Sequence, residues 1–270
     1  MNLAGLFTLS PHGSDVLVGD GHPYPWGGLY GGHIVAQALV AANSTVEGGV
    51  LPHSLRAYFI RRGENTEPVR YEVDRIRNGR SFATRRVVAR QAIGAILNLE
   101  ASFQVAEHTA EATTVSPPAV SGPDATRNDT WSPYLERCDI PDDELTQGER
   151  DGRGRHAAWF RTVEDFGDDE VLNRCALAYI SDDLPTEAVI RAVPELRARW
   201  NVPNAFFSAS LDHTIWFHRP VRAHQWHLYE MSCHSYMSGR GLSFGYVFAE
   251  DGTHVATVAQ EVLVRLRPDA

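Results

Sequence analysis

The side chains that could carry out acid–base chemistry in this sequence are limited, because the sequence contains no lysine. All 25 of its basic side chains are arginine, set against 34 aspartate and glutamate residues. Arginine stays protonated at ordinary pH, so it cannot act as a base or as an amine nucleophile. Proton transfer therefore falls to carboxylates, histidines or held water. Schiff-base, pyridoxal-phosphate, Walker-A and protein-kinase chemistry, which each need one particular lysine, are excluded.

Five histidines lie within 22 residues in the second half of the chain. They are His213, His218, His224, His227 and His234. Their spacing matches no metal-ligand motif such as HExxH, and no CxxC pair accompanies them. The pattern favours histidines that bond to neighbouring groups, so we predict no metal.

The cysteines and the charge indicate the setting of the protein. Cys138, Cys175 and Cys233 are an odd number without CxxC spacing, which favours reduced thiols and a cytoplasmic protein. Residues 1–15 lack the features of a signal peptide, and no apolar run approaches the ~20 residues of a membrane span. The net charge of −9 argues against a nucleic-acid partner.

The spacing of hydrophobic residues along the chain predicts the helices and strands that position the reacting groups. Gly31–Ala42 is apolar at helical spacing and predicts a buried helix. The segments after it alternate apolar and polar residues, which predicts antiparallel strands. These strands are His53–Arg61, Val69–Arg77, Ser81–Gln91 and Ala95–Val105.

The second half repeats this plan. It predicts a helix at Val171–Asp183, a further helical piece at Ala188–Arg199, and strands at Ser208–Pro220, Trp226–Met237, Gly241–Gly252 and Thr253–Leu266. Tyr58 aligns with Trp216 at an offset of 158, and Gly79 aligns with Gly239 at an offset of 160. This agreement predicts an α+β fold with an internal duplication, whose two sheets can join edge to edge.

The composition changes between the halves. Residues 106–129 are rich in Thr, Ser, Pro and Ala, and an acidic stretch with glycines continues to Arg155. Such composition is typical of a linker. We predict an N-terminal unit at 1–106, little regular structure at 107–155, and a C-terminal unit at 156–270.

Several motifs resemble those of the acyl-CoA thioesterase II (TesB-like) family. They are LYGGHIVAQAL, PHSLRAYFIRRG, RNGRSFATRRVVARQ, LDHTIWFHRP and VAQE, and they cover nearly the whole chain outside the linker. The resemblance implies a double hotdog fold, in which each of two tandem units wraps an antiparallel sheet around a helix. It also implies hydrolysis of acyl-CoA to free fatty acid and CoA without metal or cofactor, and a homo-oligomer.

The resemblance further implies three catalytic residues. The Ser-Asp pair at the end of the second helix matches Ser181-Asp182, although the adjacent Asp183 leaves the register open. The hydroxyl two residues before an Asp-His pair matches Ser210, and the glutamine of the last strand matches Gln260. A carboxylate can take a proton from water while a hydroxyl and an amide hold that water in place.

The segment Gly31-Gly32-His33 is the candidate substrate-binding site. Backbone N–H groups at a helix N-terminus can stabilise an oxyanion, and glycine lets a ligand come close to the backbone. A run of arginines in the first half fits either CoA phosphates or a solvated sheet face paired with acids, and both interpretations stay open. These arginines are Arg61, Arg62, Arg77, Arg80, Arg85 and Arg86.

Two other functions also stay open: a non-catalytic acyl-CoA-binding hotdog protein, and an enoyl-CoA hydratase-type hotdog enzyme. The intact set of Asp182, Ser210 and Gln260 favours the thioesterase. The hydratase needs an Asp/His dyad, and its G-D-x-N-P-x-H signature is missing from this sequence.

Overall fold

The computed structural model describes residues 2–124, 126–145 and 154–267. The helices are α1 (Leu3–Leu6), α2 (Gly31–Asn43), α3 (Asp142–Leu145), α4 (Glu170–Ser181), α5 (Pro185–Ala192) and α6 (Pro194–Arg197). The strands are β1 (Leu9–Pro11), β2 (Val16–Gly19), β3 (Val50–Phe59), β4 (Val69–Asn78), β5 (Phe82–Gln91), β6 (Gly94–Val105), β7 (Leu135–Asp139), β8 (Arg155–Thr162), β9 (Phe206–Ser210), β10 (Asp212–Phe217), β11 (His227–Met237), β12 (Arg240–Ala249) and β13 (His254–Leu266).

The strands form one continuous antiparallel sheet with an internal repeat. Its order is β1-β2-β4-β5-β6-β3-β10-β13-β12-β11-β8-β7, with β9 beside β13. The halves join where Ser54 to Tyr58 of β3 pair with Trp216 to Asp212 of β10. Outward from that junction, both halves follow the same order of connections. This repeat agrees with the predicted duplication, and the junction hides one edge strand of each half.

The two long helices pack against each other in the core; the first half of the sheet curls around α2, and the second half covers α4 together with α5. In α2, Val35, Ala36, Ala38 and Leu39 are fully buried, because a helix enclosed by a sheet needs apolar residues on most of its surface. The α+β double hotdog fold implied by the sequence is confirmed. The N-terminus of α4 is capped by Asp169, whose side chain accepts from the N–H groups of its first turn.

The N-terminus of α2 packs against the C-terminus of α4. The Tyr30 hydroxyl donates to the Tyr179 carbonyl over 2.8 Å. A Cβ atom at Gly32 would lie 2.2 Å from the same carbonyl oxygen, so this close approach requires glycine. The contact brings together two segments that lie about 150 residues apart in sequence, and the candidate site forms where they meet.

Two predicted elements are divided in the structure. The helical piece at Ala188–Arg199 is two helices, α5 and α6, because Pro194 cannot continue the first of them. The strand at Ser208–Pro220 is β9 and β10, which separate at Leu211. Both pair with the long strand β13, but only β10 also pairs with β3.

The stretch 107–155, where we predict little regular structure, has short elements among its described residues. It contains β7, which pairs with β8 at the outer edge of the second half, and the short helix α3. The hydrophobic pattern of the sequence does not indicate β7, because Arg137, a charged residue, occupies a buried position of the strand. Part of the predicted acidic stretch, residues 146–153, lies outside the described residues. The division into units 1–106 and 156–270 stays a prediction.

Candidate active site

Three polar residues from separate elements meet at the end of α4. Asp182 is the residue that ends this helix, Ser210 ends β9, and Gln260 lies in β13. The Ser210 hydroxyl donates to Asp182 Oδ1 over 3.0 Å, and Gln260 Nε2 donates to the same oxygen over 2.7 Å. Gln260 Nε2 also donates to Ser210 Oγ over 2.9 Å. The structure therefore brings together the three residues that the sequence singled out.

The candidate substrate-binding segment contacts the same carboxylate. The Gly32 N–H donates to Asp182 Oδ2 over 3.0 Å, and the positive end of the α2 dipole lies beside that oxygen. This N–H is therefore engaged with the carboxylate in the structure. His33 is buried with its ring against Tyr24, and burial lowers the pKa of His33 to about 3. Oxyanion binding by Gly31-Gly32-His33 stays a prediction.

The two neighbouring aspartates face different surroundings. Asp183 accepts from Trp131 Nε1 over 2.7 Å and from Arg137 Nη1 over 2.8 Å. Asp182 faces Ser210, Gln260 and Gly32 instead. Of the two aspartates, only Asp182 contacts the candidate hydroxyl and amide, and its role as the catalytic aspartate stays a prediction.

Asp182 has the environment expected of a proton acceptor. It is 7 % exposed, so solvent is nearly but not wholly excluded. Burial raises the pKa of Asp182, while the donors Gln260, Ser210 and Gly32 lower it only in part. A carboxylate with a raised pKa takes a proton more readily than an ordinary aspartate.

The close packing beside Asp182 Oδ2 requires a residue without a side chain. A Cβ atom at Gly31 would lie 2.5 Å from Oδ2 and 2.9 Å from the Phe59 ring. Glycine therefore lets the start of α2 pack directly against Oδ2 and this ring.

A side chain at Gly31 should displace the Asp182 carboxylate and so reduce activity. We expect Gly31→Ala to lower kcat by about 10²-fold, the size of effect known for a displacement of about 1 Å in a reacting group. Steady-state kinetics on the folded variant measures this loss. The matched control is Gly48→Ala, because a Cβ atom there would meet nothing within 4 Å. Equal kcat values for the two variants would show that the close packing at Gly31 does not position Asp182 for turnover.

A buried histidine stands behind the three residues. His213 Nδ1 lies 2.5 Å from Gln260 Oε1, and His213 Nε2 lies 2.8 Å from Ser181 Oγ. Burial lowers the pKa of His213, which favours the neutral ring. Sequence analysis did not assign these contacts. His213 occupies an inward-facing position of β10, beside Thr214, which pairs with Ala259 of β13. A histidine at an inward-facing strand position is the sequence signal that could have indicated these contacts.

A second polar cluster lies on the other side of Asp183. Buried Arg137 donates to Asp139 over 2.6 Å, to Asp183 over 2.8 Å and to Glu187 over 2.8 Å. His156 Nδ1 lies 2.8 Å from Glu187 Oε2. Burial alone would raise the pKa of Glu187, but His156 and Arg137 lower it to about 2. The cluster ties β7, β8 and α5 to the end of α4 and so supports the site from behind.

The first half of the duplicated sheet has different residues at the matching positions. Arg56 of β3 is the register partner of Glu100 of β6 in the first half. Thr214 of β10 and Ala259 of β13 form the equivalent pair in the second half. By this register Leu55 matches His213 and Ala101 matches Gln260, so two of the polar side chains are replaced by apolar ones. We infer that the candidate reactive side chains, Asp182, Ser210 and Gln260, are a feature of the second half alone.

Several arginines of the first half are already engaged within the protein. Arg85 is 1 % exposed and donates to the Thr45 hydroxyl over 2.7 Å and to the Thr45 carbonyl over 2.9 Å. Arg86 pairs with Asp74 on the surface. These contacts favour structural roles for both arginines.

Two family models match the chain, one on each half. The model described as "Acyl-CoA thioesterase N-terminal domain" matches residues 22–104, and "Acyl-CoA thioesterase C-terminal domain" matches residues 112–264. The fold and these matches define a thioester hydrolase built from two hotdog units. A solved structure from Alicyclobacillus acidocaldarius with a hotdog fold has a TM-score of 0.74 at 20 % identity, covers 98 % of this chain and 99 % of its own, and supports the fold.

Two proteins with higher sequence identity to this chain establish the family. Acyl-CoA thioesterase 2 of Haemophilus influenzae is 30 % identical over 98 % of this chain and 97 % of its own length. The crystal structure of acyl-CoA thioesterase II TesB2 from Mycobacterium marinum has a TM-score of 0.84 at 32 % identity, covering 99 % of this chain and 98 % of that one. The chain belongs to the acyl-CoA thioesterase II (TesB-like) family. Among the described residues, no helix is long and apolar enough to cross a membrane.

Proposed function

We propose that this protein hydrolyses acyl-CoA to a free fatty acid and CoA, with Asp182 as the base and with Ser210 and Gln260 holding the attacking water. The convergence of Ser210 and Gln260 on Asp182 Oδ1 is the observation that carries the proposal. The proposal needs no lysine, metal or cofactor, because a thioester carbonyl is electrophilic enough for direct attack by activated water.

The proposed reaction is a direct hydrolysis. The oxygen of a water molecule attacks the thioester carbonyl carbon while one of its protons passes to Asp182. The resulting tetrahedral intermediate collapses, the carbon–sulfur bond breaks, and the sulfur leaves with the bonding electron pair. The sulfur then takes the proton from Asp182, which restores the carboxylate and releases CoA as a thiol. Ser210 and Gln260 act by fixing the orientation of the water.

The raised pKa of Asp182 sets an expected pH dependence. The base must be deprotonated, so we expect the acid limb of the kcat/KM profile to lie above the ordinary aspartate pKa of about 3.9. Gln260→Met removes a donor to the charged carboxylate, which raises the pKa of Asp182 further and moves the limb to higher pH. The control Gln104→Met changes a glutamine of β6 outside the site. A limb in Gln260→Met at or below that of the unaltered protein would contradict this prediction.

A panel of acyl-CoA substrates tests the function. We expect stoichiometric release of free thiol, measured with a thiol-reactive chromophore, and a release by Asp182→Asn that is roughly 10²- to 10⁴-fold slower. Binding of acyl-CoA without turnover at any chain length would instead support the non-catalytic alternative. Loss of the double bond of an enoyl-CoA without thiol release would support the hydratase. The cytoplasmic setting and the homo-oligomeric assembly stay predictions.

A further inference from the structure

The Gln260 side chain must adopt one of two orientations, and only one suits the site. Its amide has a donating end, Nε2, and an accepting end, Oε1. In the structure Nε2 lies 2.7 Å from Asp182 Oδ1 and 2.9 Å from Ser210 Oγ. Rotation of the amide by 180° would place Oε1 against the carboxylate oxygen, where two acceptors would repel each other. The site therefore gains from a group that holds the amide in place.

His213 is placed to be that group. Its Nδ1 atom lies 2.5 Å from Gln260 Oε1, and the residue is fully buried. Because Oε1 can only accept, Nδ1 must carry the hydrogen in this contact. A flipped amide would turn its Nε2 donors toward the Nδ1–H, so the same contact disfavours the wrong orientation.

Ser181 contacts the other nitrogen of the His213 ring. Its hydroxyl oxygen lies 2.8 Å from His213 Nε2 and 3.0 Å from the Ala178 carbonyl oxygen. The Ser181 hydroxyl has one hydrogen and two acceptors within reach, because a neutral ring with Nδ1 protonated presents Nε2 as an acceptor beside the Ala178 carbonyl. We infer that this hydrogen is directed to Nε2. The hydrogen bonds then run in one direction, from Ser181 through His213 and Gln260 to Asp182.

We propose that His213, oriented by Ser181, is a positioning residue that keeps Gln260 Nε2 directed at Asp182 and Ser210. The inference rests on the proposed hydrolysis, which makes Gln260 a residue that holds the attacking water. His213 itself touches neither substrate nor water in this proposal. Its effect should therefore appear in kcat, while KM stays near its original value.

Two substitutions at this position separate the hydrogen bond from simple packing. His213→Leu removes the donor, and leucine is the residue at the matching position of the first half, Leu55. His213→Asn places an amide N–H near the position of Nδ1–H. We expect His213→Leu to lower kcat by about 10- to 100-fold, the range in which a support behind a reacting group acts, and His213→Asn to recover most of that loss. KM should change by less than about threefold in both variants.

Nitrogen NMR of the protein labelled with ¹⁵N-histidine reads the tautomer directly and does not depend on turnover. We expect the His213 resonances of a neutral ring with Nδ1 protonated and Nε2 unprotonated, and in Ser181→Ala a shift of population toward the other tautomer. The His213→Leu spectrum assigns the signal by its disappearance, and if that variant does not fold, the Ser181→Ala comparison assigns it.

The outcomes distinguish this inference from the proposed function. Active, folded His213→Leu with the original kcat, no recovery in His213→Asn, or a His213 ring protonated at Nε2 alone would each overturn the role of His213. Absence of thiol release by the unaltered protein would overturn the proposed hydrolysis instead, and the NMR reading of the tautomer would still stand. Loss of kcat in His213→Leu, recovery in His213→Asn and the Nδ1–H tautomer together support the inference.

Discussion

Asp182→Asn is expected to lower kcat by roughly 10²- to 10⁴-fold, the usual contribution of a positioned general base. The asparagine amide cannot take the proton of the attacking water at neutral pH. The shape of the side chain is retained, and one buried donor, the Gly32 N–H or the Gln260 amide, loses its acceptor, so the free energy of unfolding should fall by about 1–3 kcal/mol. Thiol release and a urea titration on the same preparation measure both quantities.

Two comparison variants sharpen this result. Gln260→Ala should lose less activity than Asp182→Asn, because the amide positions the water without accepting its proton. Asp183→Asn should mainly lose stability, since Asp183 pairs with Arg137 and points away from Ser210 and Gln260. An active Asp182→Asn protein beside an inactive, stable Asp183→Asn protein would assign the base to Asp183.

Arg137→Met is expected to lower the free energy of unfolding by about 3–5 kcal/mol, the cost of removing one partner from a buried ion pair. The substitution leaves Asp139, Asp183 and Glu187 close together without their shared cation. That loss is large against a total stability of about 5–15 kcal/mol. Urea unfolding measures it, and the matched control is Arg86→Met, which breaks an exposed pair with Asp74 and should cost about 1 kcal/mol or less.

The cost of Arg137→Met should also depend on pH. In the unaltered protein the pKa of Glu187 and that of Asp139 are held at about 2, so their stabilising contribution is present above the unfolded pKa values and is lost as the pH falls toward 2. In Arg137→Met these two carboxyls protonate at higher pH, and protonation removes the electrostatic repulsion between them. The difference in stability between the two proteins should therefore shrink between pH 7 and pH 3. A constant difference would show that charge is not the cause of the loss.

Much of the fold could be predicted from local patterns. The helices α2 and α4 and the strands β4, β5 and β6 lie within a few residues of their predicted bounds, because apolar residues recur there at the helical or strand period. The strand β7 was missed because Arg137 interrupts the alternation, and its burial depends on acidic partners from distant segments. The strands β1 and β2 are too short to show a period of their own.

The candidate site was only partly predictable. Asp182, Ser210 and Gln260 were found by resemblance, since motifs preserve the order of residues along the chain. The contacts of His213 with Gln260 and Ser181 were not found, because they join β10, β13 and α4 across long sequence separations. A hydrogen-bond direction depends on which acceptor faces which donor, and the sequence does not record that.

The sequence by itself determined the kinds of chemistry available, the α+β duplication and the family. Those conclusions rest on composition, period and motif order, which are local or cumulative properties of the chain. Only the tertiary structure decided that Asp182 faces the hydroxyl and the amide while Asp183 faces Arg137. Neighbouring residues at the end of a helix point in different directions, and the packing of α4 against α2 and the second half of the sheet sets which direction meets the site.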